Sequence, residues 1–482
     1  VHVLSLVFQE LRVGASREDA IVHAFEHSGL AIVMTSLTTA AGLASFFAAK
    51  IAPIADLGLF SAIGVMLSLF YTIVLLPALL SIIPIRAKSG EAASKKNRID
   101  ILLEWLADFS TTRPGLILVV SIIIAVAALS GAAQLRFSHD PLIWLPEDSG
   151  VRQATEVIDD RLKGSVALEV IVDTGRENGL HDRNVLLALD RLSSKLEKFR
   201  QDELFIGKVN AITVIIKEIH RALNENRPEF YKIPENSRLI PQEFLLFENS
   251  GSDDLEDVSD SLFQTARITI KVPWRNALTY VPFMREIESQ FKQTFADTDT
   301  ADQDISITTT GIMALFGRIL YAAIYSAAQS YVIAFVVITL MMIMLIGSLR
   351  IGLISMIPNL GPIFVVLGIM GWASIPLDMF TMMIASIAIG LAVDDTVHFM
   401  YNFRRYYDES GDVADAVHRT FYTSGRAMLT TSIVLSLGFF IFMFASMNNL
   451  FYFGLLTGLA IVFALAADLL LSPALMALMY RK

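Results

Sequence analysis

The fold is decided by the stretch SIAIGLAVDDTVHFMYNFRR at residues 386–405, where two adjacent carboxylates interrupt an apolar run. Asp394 lies about 16 residues into a candidate membrane span, which is about 24 Å at 1.5 Å per residue. That depth falls inside a hydrocarbon core roughly 30 Å thick. Because a charge inside a bilayer costs at least about 2.5 kcal/mol, Asp394 and Asp395 are predicted to form a functional site. The alternative is that the acids mark the cytoplasmic end of the helix and simply reach water.

Two neighbours of the pair are predicted to belong to the same site. His398 follows the acids by four and three residues, so one helical face can carry both carboxylate and imidazole. Gly390 lies one turn before Asp394 and is expected to let a neighbouring helix come close.

The composition of the whole chain is that of a polytopic α-helical membrane protein. Of the 482 residues, 54% are hydrophobic, and several runs are long enough to span a bilayer. Eight complete spans are predicted, at residues 30–49, 57–83, 114–133, 330–348, 351–372, 377–400, 428–446 and 450–480. Cysteine is absent, which excludes disulfides and cysteine-ligated metals and fits a bacterial envelope protein.

An acidic domain interrupts the membrane helices. Residues 134–327 contain 31 acidic and 22 basic residues. The runs GSVALEVIVDTG and TARITIKVP predict strands, and residues 182–200 and 281–295 have helical spacing. Strands separated by helices predict an α+β domain of the split βαβ kind. The loop NSGSDDLEDVSD at 249–260 lacks the ligand spacing of a calcium-binding EF-hand, so a solvated loop is favoured over a calcium site.

The remaining segments complete the predicted domain order. Residues 1–85 form the end of a first transmembrane half, 86–113 a cytoplasmic linker, 114–133 one helix, and 328–482 a bundle of five helices. The linker places Ile101, Leu102, Trp105, Leu106 and Phe109 on one side of a helix. That helix is either interfacial or packed on the protein. Residues 401–426 are predicted to be a polar loop.

Two polar residues in other spans have open interpretations. Asn359 lies between Pro358 and Gly361, which predicts an interrupted helix, either beside a transport pathway or as a structural kink. Asp468 is expected to reach the inner interface.

Lysine and arginine fix the expected orientation. The loops on one side of the membrane contain fifteen of them, whereas the short loops on the other contain only Lys50. The positive-inside rule places the fifteen in the cytoplasm. The acidic domain is then extracytoplasmic, and periplasmic in a Gram-negative cell.

An internal repeat aligns the start of the chain with its end at an offset of 396 residues over about 80 residues. Matched residues are His2 with His398, Thr35-Ser36 with Thr431-Ser432, Gly42 with Gly438, Gly58 with Gly454, and Pro77 with Pro473. Two parallel halves of this kind are typical of transporters.

These features resemble the resistance-nodulation-division (RND) superfamily, in its MMPL and Patched-like branch of exporters. The matching motifs are GLAVDD at 390–395, PNLGP at 358–362 and SPALMAL at 472–478, together with the half-repeat. Family proteins have twelve helices, so the chain is similar to helices five to twelve and the second external domain. The missing N-terminal half is expected to be encoded upstream.

The resemblance implies a proton relay at Asp394 and Asp395, because an apolar site and a neighbouring carboxylate both favour the neutral acid. His398 would tune the pair or pass protons to the cytoplasm. Thr430, Thr431 and Ser432 on the next helix are candidates to hydrogen-bond the acids, but for any single one of them a bond from the hydroxyl to its own helix backbone is favoured.

The implied function is export of lipids or other hydrophobic molecules across the inner membrane, driven by the proton-motive force, by a secondary transporter rather than an enzyme. The expected partners are the hydrophobic substrate, protons and the bilayer. The oligomeric state is open, so a homo-oligomer remains compatible with the sequence. No cofactor or nucleic acid is expected, and ATP does not power the chain directly because a phosphate-binding loop is absent.

Two other functions are weighed against export. A sterol- or lipid-sensing protein shares the fold but can dispense with the acid pair, which this chain keeps. An intramembrane aspartyl protease needs its aspartates on separate helices, and the protease-type Gly-x-Gly-Asp is missing here.

Overall fold

The structure is a computed structural model that describes residues 2–12, 14–83, 98–296 and 304–480. It divides into a membrane unit, Val1–Phe137 with Ala322–Lys482, and an extramembrane unit, Ser138–Tyr321. Compared with the predicted domain at 134–327, residues 134–137 and 322–327 belong to the membrane unit.

Long apolar helices build the membrane unit, and eight of the described helical segments are long and apolar enough to cross a membrane. This confirms the predicted number of spans. The helices are α1 His2–Arg12, α2 Arg17–Ala44, α3 Ala52–Ile82, α4 Arg98–Thr112, α5 Pro114–Ala132, α11 Ile312–Ile346, α12 Leu349–Ile354, α13 Ile357–Trp372, α14 Met379–Ser410, α15 Val413–Thr420, α16 Arg426–Phe440, α17 Asn448–Ala466 and α18 Ser472–Met479.

Two polar stretches prove to be helical. The first span starts earlier than predicted because Ser16 caps α2, with its hydroxyl accepting from the Asp19 amide at 3.1 Å. The predicted loop at 401–426 is wrong, because α14 continues to Ser410 and α15 follows at once. The Asp412 carboxylate caps α15 by accepting from the Ala414 amide at 2.8 Å, so local capping overrides the polar composition.

The two halves of the repeat share a 3₁₀ turn and the glycine that packs against it. The 3₁₀ turns Ser45–Ala48 and Ile441–Phe444 are related by the same offset of 396 residues. After each turn, a glycine of the next helix packs against it: a β-carbon on Gly58 or Gly454 would lie 2.5 Å from a phenylalanine β-carbon. This contact between turn and glycine is thus the same in both halves.

Helices α5 and α13 pack through small residues. A β-carbon on Gly368 would lie 2.6 Å from the Ala128 Cα, and one on Gly371 would lie 1.9 Å from the Gly131 carbonyl oxygen. Small residues let the two backbones approach closely, which is a common way to join helices in membranes.

Helix α4 uses both of its faces. Leu103, Leu106 and Ala107 are buried against the bundle, whereas Ile101 and Trp105 are exposed. The predicted single apolar side is therefore wrong for Leu106, which lies on the packed face. The first part of the linker, residues 84–97, lies outside the described residues.

The helix is also held to the bundle by charge. The Arg426 guanidinium donates through Nε to an Asp100 oxygen at 2.6 Å, and His418 Nε2 lies 2.9 Å from an Asp108 oxygen.

The extramembrane unit is built on a four-stranded antiparallel sheet in the order β4-β5-β1-β6. Its strands and helices are α6 Gly150–Leu162, β1 Val166–Asp173, α7 Arg183–Leu196, β2 Arg200–Gln201, β3 Leu204–Phe205, β4 Lys208–Asn210, α8 Ile212–Leu223, α9 Leu239–Glu248, β5 Thr265–Val272, α10 Tyr280–Ala296 and β6 Ser306–Gly311. Strands and helices alternate as in the predicted split βαβ motif, so that prediction is confirmed.

Buried and partly exposed residues alternate along β1, and the buried ones lie on the face of the sheet that the helices cover. Val166, Leu168, Val170 and Val172 are buried and pack with apolar residues of α7 and α10. In the predicted solvated loop, Asp260 accepts from the amides of Gln264 and Thr265, which closes the turn into β5.

Candidate site in the membrane unit

The position of the candidate site is fixed by the start of α14. The Asp378 carboxylate accepts from the Phe380 and Thr381 amides at 3.0 and 2.8 Å, and the Thr381 hydroxyl accepts from the Asp378 amide at 2.8 Å. This capping box satisfies the first free amides of the helix. It sets Asp394 and Asp395 more than four turns into the membrane unit.

Asp395 is enclosed by the bundle. The residue is only 7% exposed, and the Ser432 hydroxyl of α16 donates to Asp395 Oδ2 at 2.7 Å. The structure therefore brings together two of the predicted site residues from different helices. It also excludes the alternative that Asp395 simply reaches water.

The neighbouring threonines are placed differently. The Thr430 hydroxyl donates to the Arg426 carbonyl at 2.8 Å, and the Thr431 hydroxyl donates to the Ala427 carbonyl at 2.9 Å. Thr430 and Thr431 thus follow the alternative favoured for any single hydroxyl, because each one donates to the carbonyl one turn earlier in its own helix rather than to the acids. Thr431 still borders the pocket beside the acids.

Asp394 has a more open environment than Asp395. It is half-buried and lines a small pocket together with Asp395, Thr431 and Ser432. The pocket has about 10 Å³ of room for the centre of a water molecule, close to the minimum that one water requires. One carboxyl is thus enclosed and hydrogen-bonded, whereas its neighbour borders a space in which water can lie.

Asp468 does not reach the interface, and that prediction is wrong. The residue is only 1% exposed. It lies in a π-helical segment, Ala467–Leu471, that joins α17 to α18 without a break and keeps the side chain inside the bundle. The Ser472 hydroxyl donates to Asp468 Oδ1 at 3.1 Å.

Thr396 connects Asp468 to the interrupted helix. Its hydroxyl oxygen lies 2.6 Å from Asp468 Oδ1 and 2.8 Å from Asn359 Oδ1. The helix is interrupted at residues 355–356, between α12 and α13, whereas the predicted position from Pro358 to Gly361 lies inside α13. Sequence reasoning missed Thr396, although its place directly after the acid pair was a usable signal.

His398 lies against its counterpart in the repeat. Its ring stacks on that of His2, with centroids 3.6 Å apart and planes within 8°. The offset of 396 residues pairs the same two histidines in the sequence. His398 thus faces α1 of the first half.

Gly390 is approached by α2, as expected, but not because it lacks a side chain. The Thr39 hydroxyl donates to the Gly390 carbonyl at 3.4 Å, and a β-carbon on Gly42 would lie 3.7 Å from the Gly390 Cα. A β-carbon on Gly390 itself would meet nothing within 4 Å, so a side chain at either glycine would fit without forcing the two helices apart.

Charge balance distinguishes these acids from ordinary buried carboxylates. Among the residues that the structure describes, no lysine, arginine or histidine forms an ion pair with Asp395 or Asp468. An isolated buried carboxylate is costly, so such groups are favoured as neutral acids until water or a cation reaches them. The described residues also contain no group of three or more His, Asp or Glu side chains that could hold a metal ion.

Comparison with known proteins assigns the family. The family model described as MMPL matches residues 7–117 and 284–482, which is more than half of the chain. The chain belongs to the MMPL family.

Relatives of this MMPL protein extend the comparison. The membrane protein MJ1562 of Methanocaldococcus jannaschii is 21% identical over 378 residues, covering 78% of this chain and 93% of that protein.

Solved structures show the same fold. The translocon-associated membrane protein SecDF of Thermus thermophilus matches with a TM-score of 0.54 at 15% identity, and SecDF in a super-membrane-facing form matches with 0.50 at 14%. Each match covers 99% of this chain but 52% of the SecDF chain. The MMPL protein therefore spans about half the length of the SecDF chains that it matches.

Proposed function

We propose that this MMPL protein works in a transporter that uses the proton-motive force to export lipids or other hydrophobic molecules. The observation that carries the proposal is the buried Asp395, held by Ser432 and without an ion-pair partner among the described residues, beside the half-buried Asp394 at a pocket the size of one water. Family membership supports a role in membrane transport.

The geometry supports different roles for the two acids. Asp394 exchanges a proton with water in the small pocket, and Asp395 receives it in the enclosed position. When Asp395 is neutral, the Ser432 contact weakens, because a hydrogen bond to a charged group is the stronger kind. A change of protonation therefore alters how strongly α14 is held to α16.

His398 takes the next position along the relay. It follows Asp394 by one helical turn and lies on the His2 side of α14. Both imidazoles can carry a proton at a pH near neutrality in an ordinary environment. The stacked pair would tune the acids or pass protons towards the cytoplasm.

The location follows from the charge distribution. The lysine and arginine residues concentrated on one side of the membrane support an inner-membrane orientation with the extramembrane unit outside. That unit would pass the hydrophobic cargo, and the exposed apolar side chains of the membrane unit would face the bilayer.

Proton flux in vesicles tests the relay. The full-length protein is reconstituted with a pH-sensitive dye inside, and flux is driven by an imposed pH difference. Asp395→Asn should abolish the flux, because it removes the proton-binding group at nearly constant volume. Ser432→Ala should reduce the flux roughly tenfold, since a hydrogen bond to a charged group contributes about 1.5–3 kcal/mol.

The matched control is Ser436→Ala, one turn further along α16. Ser436 is buried like Ser432, but its hydroxyl donates to the Ser432 carbonyl of its own helix. This variant should keep the parental flux. Parental flux in Asp395→Asn would overturn the relay, and absence of flux in the parent protein would favour a lipid sensor.

A further inference from the structure

The contacts of Thr396 require one more proton than its hydroxyl supplies. A threonine hydroxyl has a single proton to donate. Its oxygen lies within hydrogen-bonding distance of two acceptors, Asn359 Oδ1 at 2.8 Å and Asp468 Oδ1 at 2.6 Å. A third oxygen, the Ala392 carbonyl, lies at 3.4 Å and can share the proton only weakly. In at least one of the two short contacts, the proton must therefore be donated to Thr396 by its partner, Asn359 or Asp468.

The amide of Asn359 cannot supply that proton. Its Nδ2 donates to the Ser355 carbonyl at 3.1 Å, where the chain turns between α12 and α13. Exchanging the amide oxygen and nitrogen would place two carbonyl oxygens against each other. Asn359 Oδ1 is therefore an acceptor, and Thr396 donates to it.

In the remaining contact, Asp468 must then donate a proton to the Thr396 hydroxyl oxygen. The 2.6 Å separation of Thr396 Oγ1 and Asp468 Oδ1 is an ordinary distance for an O–H to O hydrogen bond. If Asp468 were ionised, Thr396 would have to turn its proton towards it. Asn359 Oδ1 would then lie 2.8 Å from an oxygen with no proton between them, and both atoms are buried.

The charges around Asp468 favour the same state. The titratable groups that interact with it electrostatically are Asp394 and Asp395 of α14, both acidic. The Ser472 hydroxyl, which donates to Asp468 Oδ1, is neutral. The π-helical segment that holds Asp468 is an independent sign of function, because π segments occur frequently at functional sites.

We propose that Asp468 is a further proton-binding group of the membrane unit, distinct from the Asp394–Asp395 pair, and that it holds a proton which it donates to Thr396. Release of this proton leaves a carboxylate and lets the Thr396 hydroxyl turn from Asn359 to Asp468. Asn359 then loses its donor. The bond between α14 and the interrupted helix α13 is thus exchanged for a stronger bond between α14 and the π segment.

Infrared spectroscopy of the full-length protein in lipid tests the protonation directly. A protonated carboxyl group has a C=O band separate from the carboxylate bands, and the band moves on transfer to heavy water. Asp468→Asn should remove one acid's share of this band at pH 7. The variant should remain folded, because an asparagine amide donates to Thr396 much as the protonated acid does.

A matched pair of variants tests the donor role. Thr396→Val removes the hydroxyl at similar volume and should shift the band to that of a less strongly hydrogen-bonded acid. Thr396→Ser keeps the hydroxyl and should leave the band in place. An unchanged band in Asp468→Asn would overturn the inference, and so would a band that is equally placed in the valine and serine variants.

The proton-relay proposal and this inference can fail separately. Asp395→Asn tests flux, whereas Asp468→Asn tests the presence of a proton on one named carboxyl. Lost flux in Asp395→Asn with an unchanged band in Asp468→Asn would refute only the inference. A lost band with parental flux in Asp395→Asn would refute only the relay.

Discussion

The close contact of α5 and α13 gives a sharp test of the packing that positions the site. Gly368 and Gly361 lie on the same helix, but only Gly368 meets another backbone. A β-carbon at Gly368 would lie 2.6 Å from both Cα and O of Ala128, whereas one at Gly361 would meet nothing within 4 Å. We expect Gly368→Ala to destabilise the membrane unit and Gly361→Ala to leave it intact.

The expected magnitude can be worked out from these distances. Carbon atoms in good contact lie about 3.5–4.0 Å apart, so the two helices must separate by about 1 Å. Forcing extra atoms into a well-packed interior costs about 1–3 kcal/mol. Replacing glycine by alanine inside a helix also stabilises the helix by up to about 1 kcal/mol, and this gain applies to both variants. The difference between the variants therefore isolates the helix contact, at about 1–3 kcal/mol.

Thermal unfolding in one detergent, followed by tryptophan fluorescence, measures that difference. Gly368→Ala should unfold at a lower temperature than the parent, and Gly361→Ala at the same temperature or higher. Because α13 also carries Asn359, the first variant should weaken the contact with Thr396. If Gly368→Ala were as stable as Gly361→Ala, the close backbone approach of α5 and α13 would be refuted.

Further predictions concern the repeat, the extramembrane unit and the orientation. Gly58→Ala and Gly454→Ala should both lower the unfolding temperature, since each β-carbon would lie 2.5 Å from a phenylalanine β-carbon; an effect in only one would contradict equivalent packing in the halves. Burial lowers the pKa of His181 from 6.5, so the unfolded chain binds its proton more readily and stability should fall as the pH drops below about 6.5. In denaturation of the extramembrane unit at pH 5 and 7, His181→Phe should remove that part of the pH dependence, and an unchanged pH dependence would contradict the assignment. A cysteine at Ser252 should react with impermeant thiol reagents once the outer membrane alone is opened, and one at Ser94 only after the inner membrane is opened. The reverse labelling would overturn the orientation.

Sequence reasoning succeeded where the signal is local. The eight spans follow from apolar runs of sufficient length, and the alternation in β1 and β5 predicts two strands that do pair in the sheet. The meeting of Ser432 with Asp395 was also within reach, because both lie in apolar helices where a polar side chain needs a partner.

It failed where a contact joins distant parts of the chain. The place of Asp468 near the end of the last span predicted the interface, but the π segment Ala467–Leu471 and α18 continue the helix and the side chain stays inside the bundle. The role of Thr396 was missed because its partners, Asn359 and Asp468, lie 37 and 72 positions away in the sequence.

The short stretch from Asp394 to His398 contacts different helices at three of its polar positions. Asp395 faces α16 through Ser432, Thr396 faces α13 and the π segment, and His398 faces α1 through His2. These contacts share one helix and lie within about one turn, so they cannot move independently. A proton gained or lost at any of them changes which neighbour holds α14 most strongly. Because these three contacts lie so close together on α14, one proton bound or released there can change the packing of several helices. The proton does not have to cross the whole membrane unit to do so.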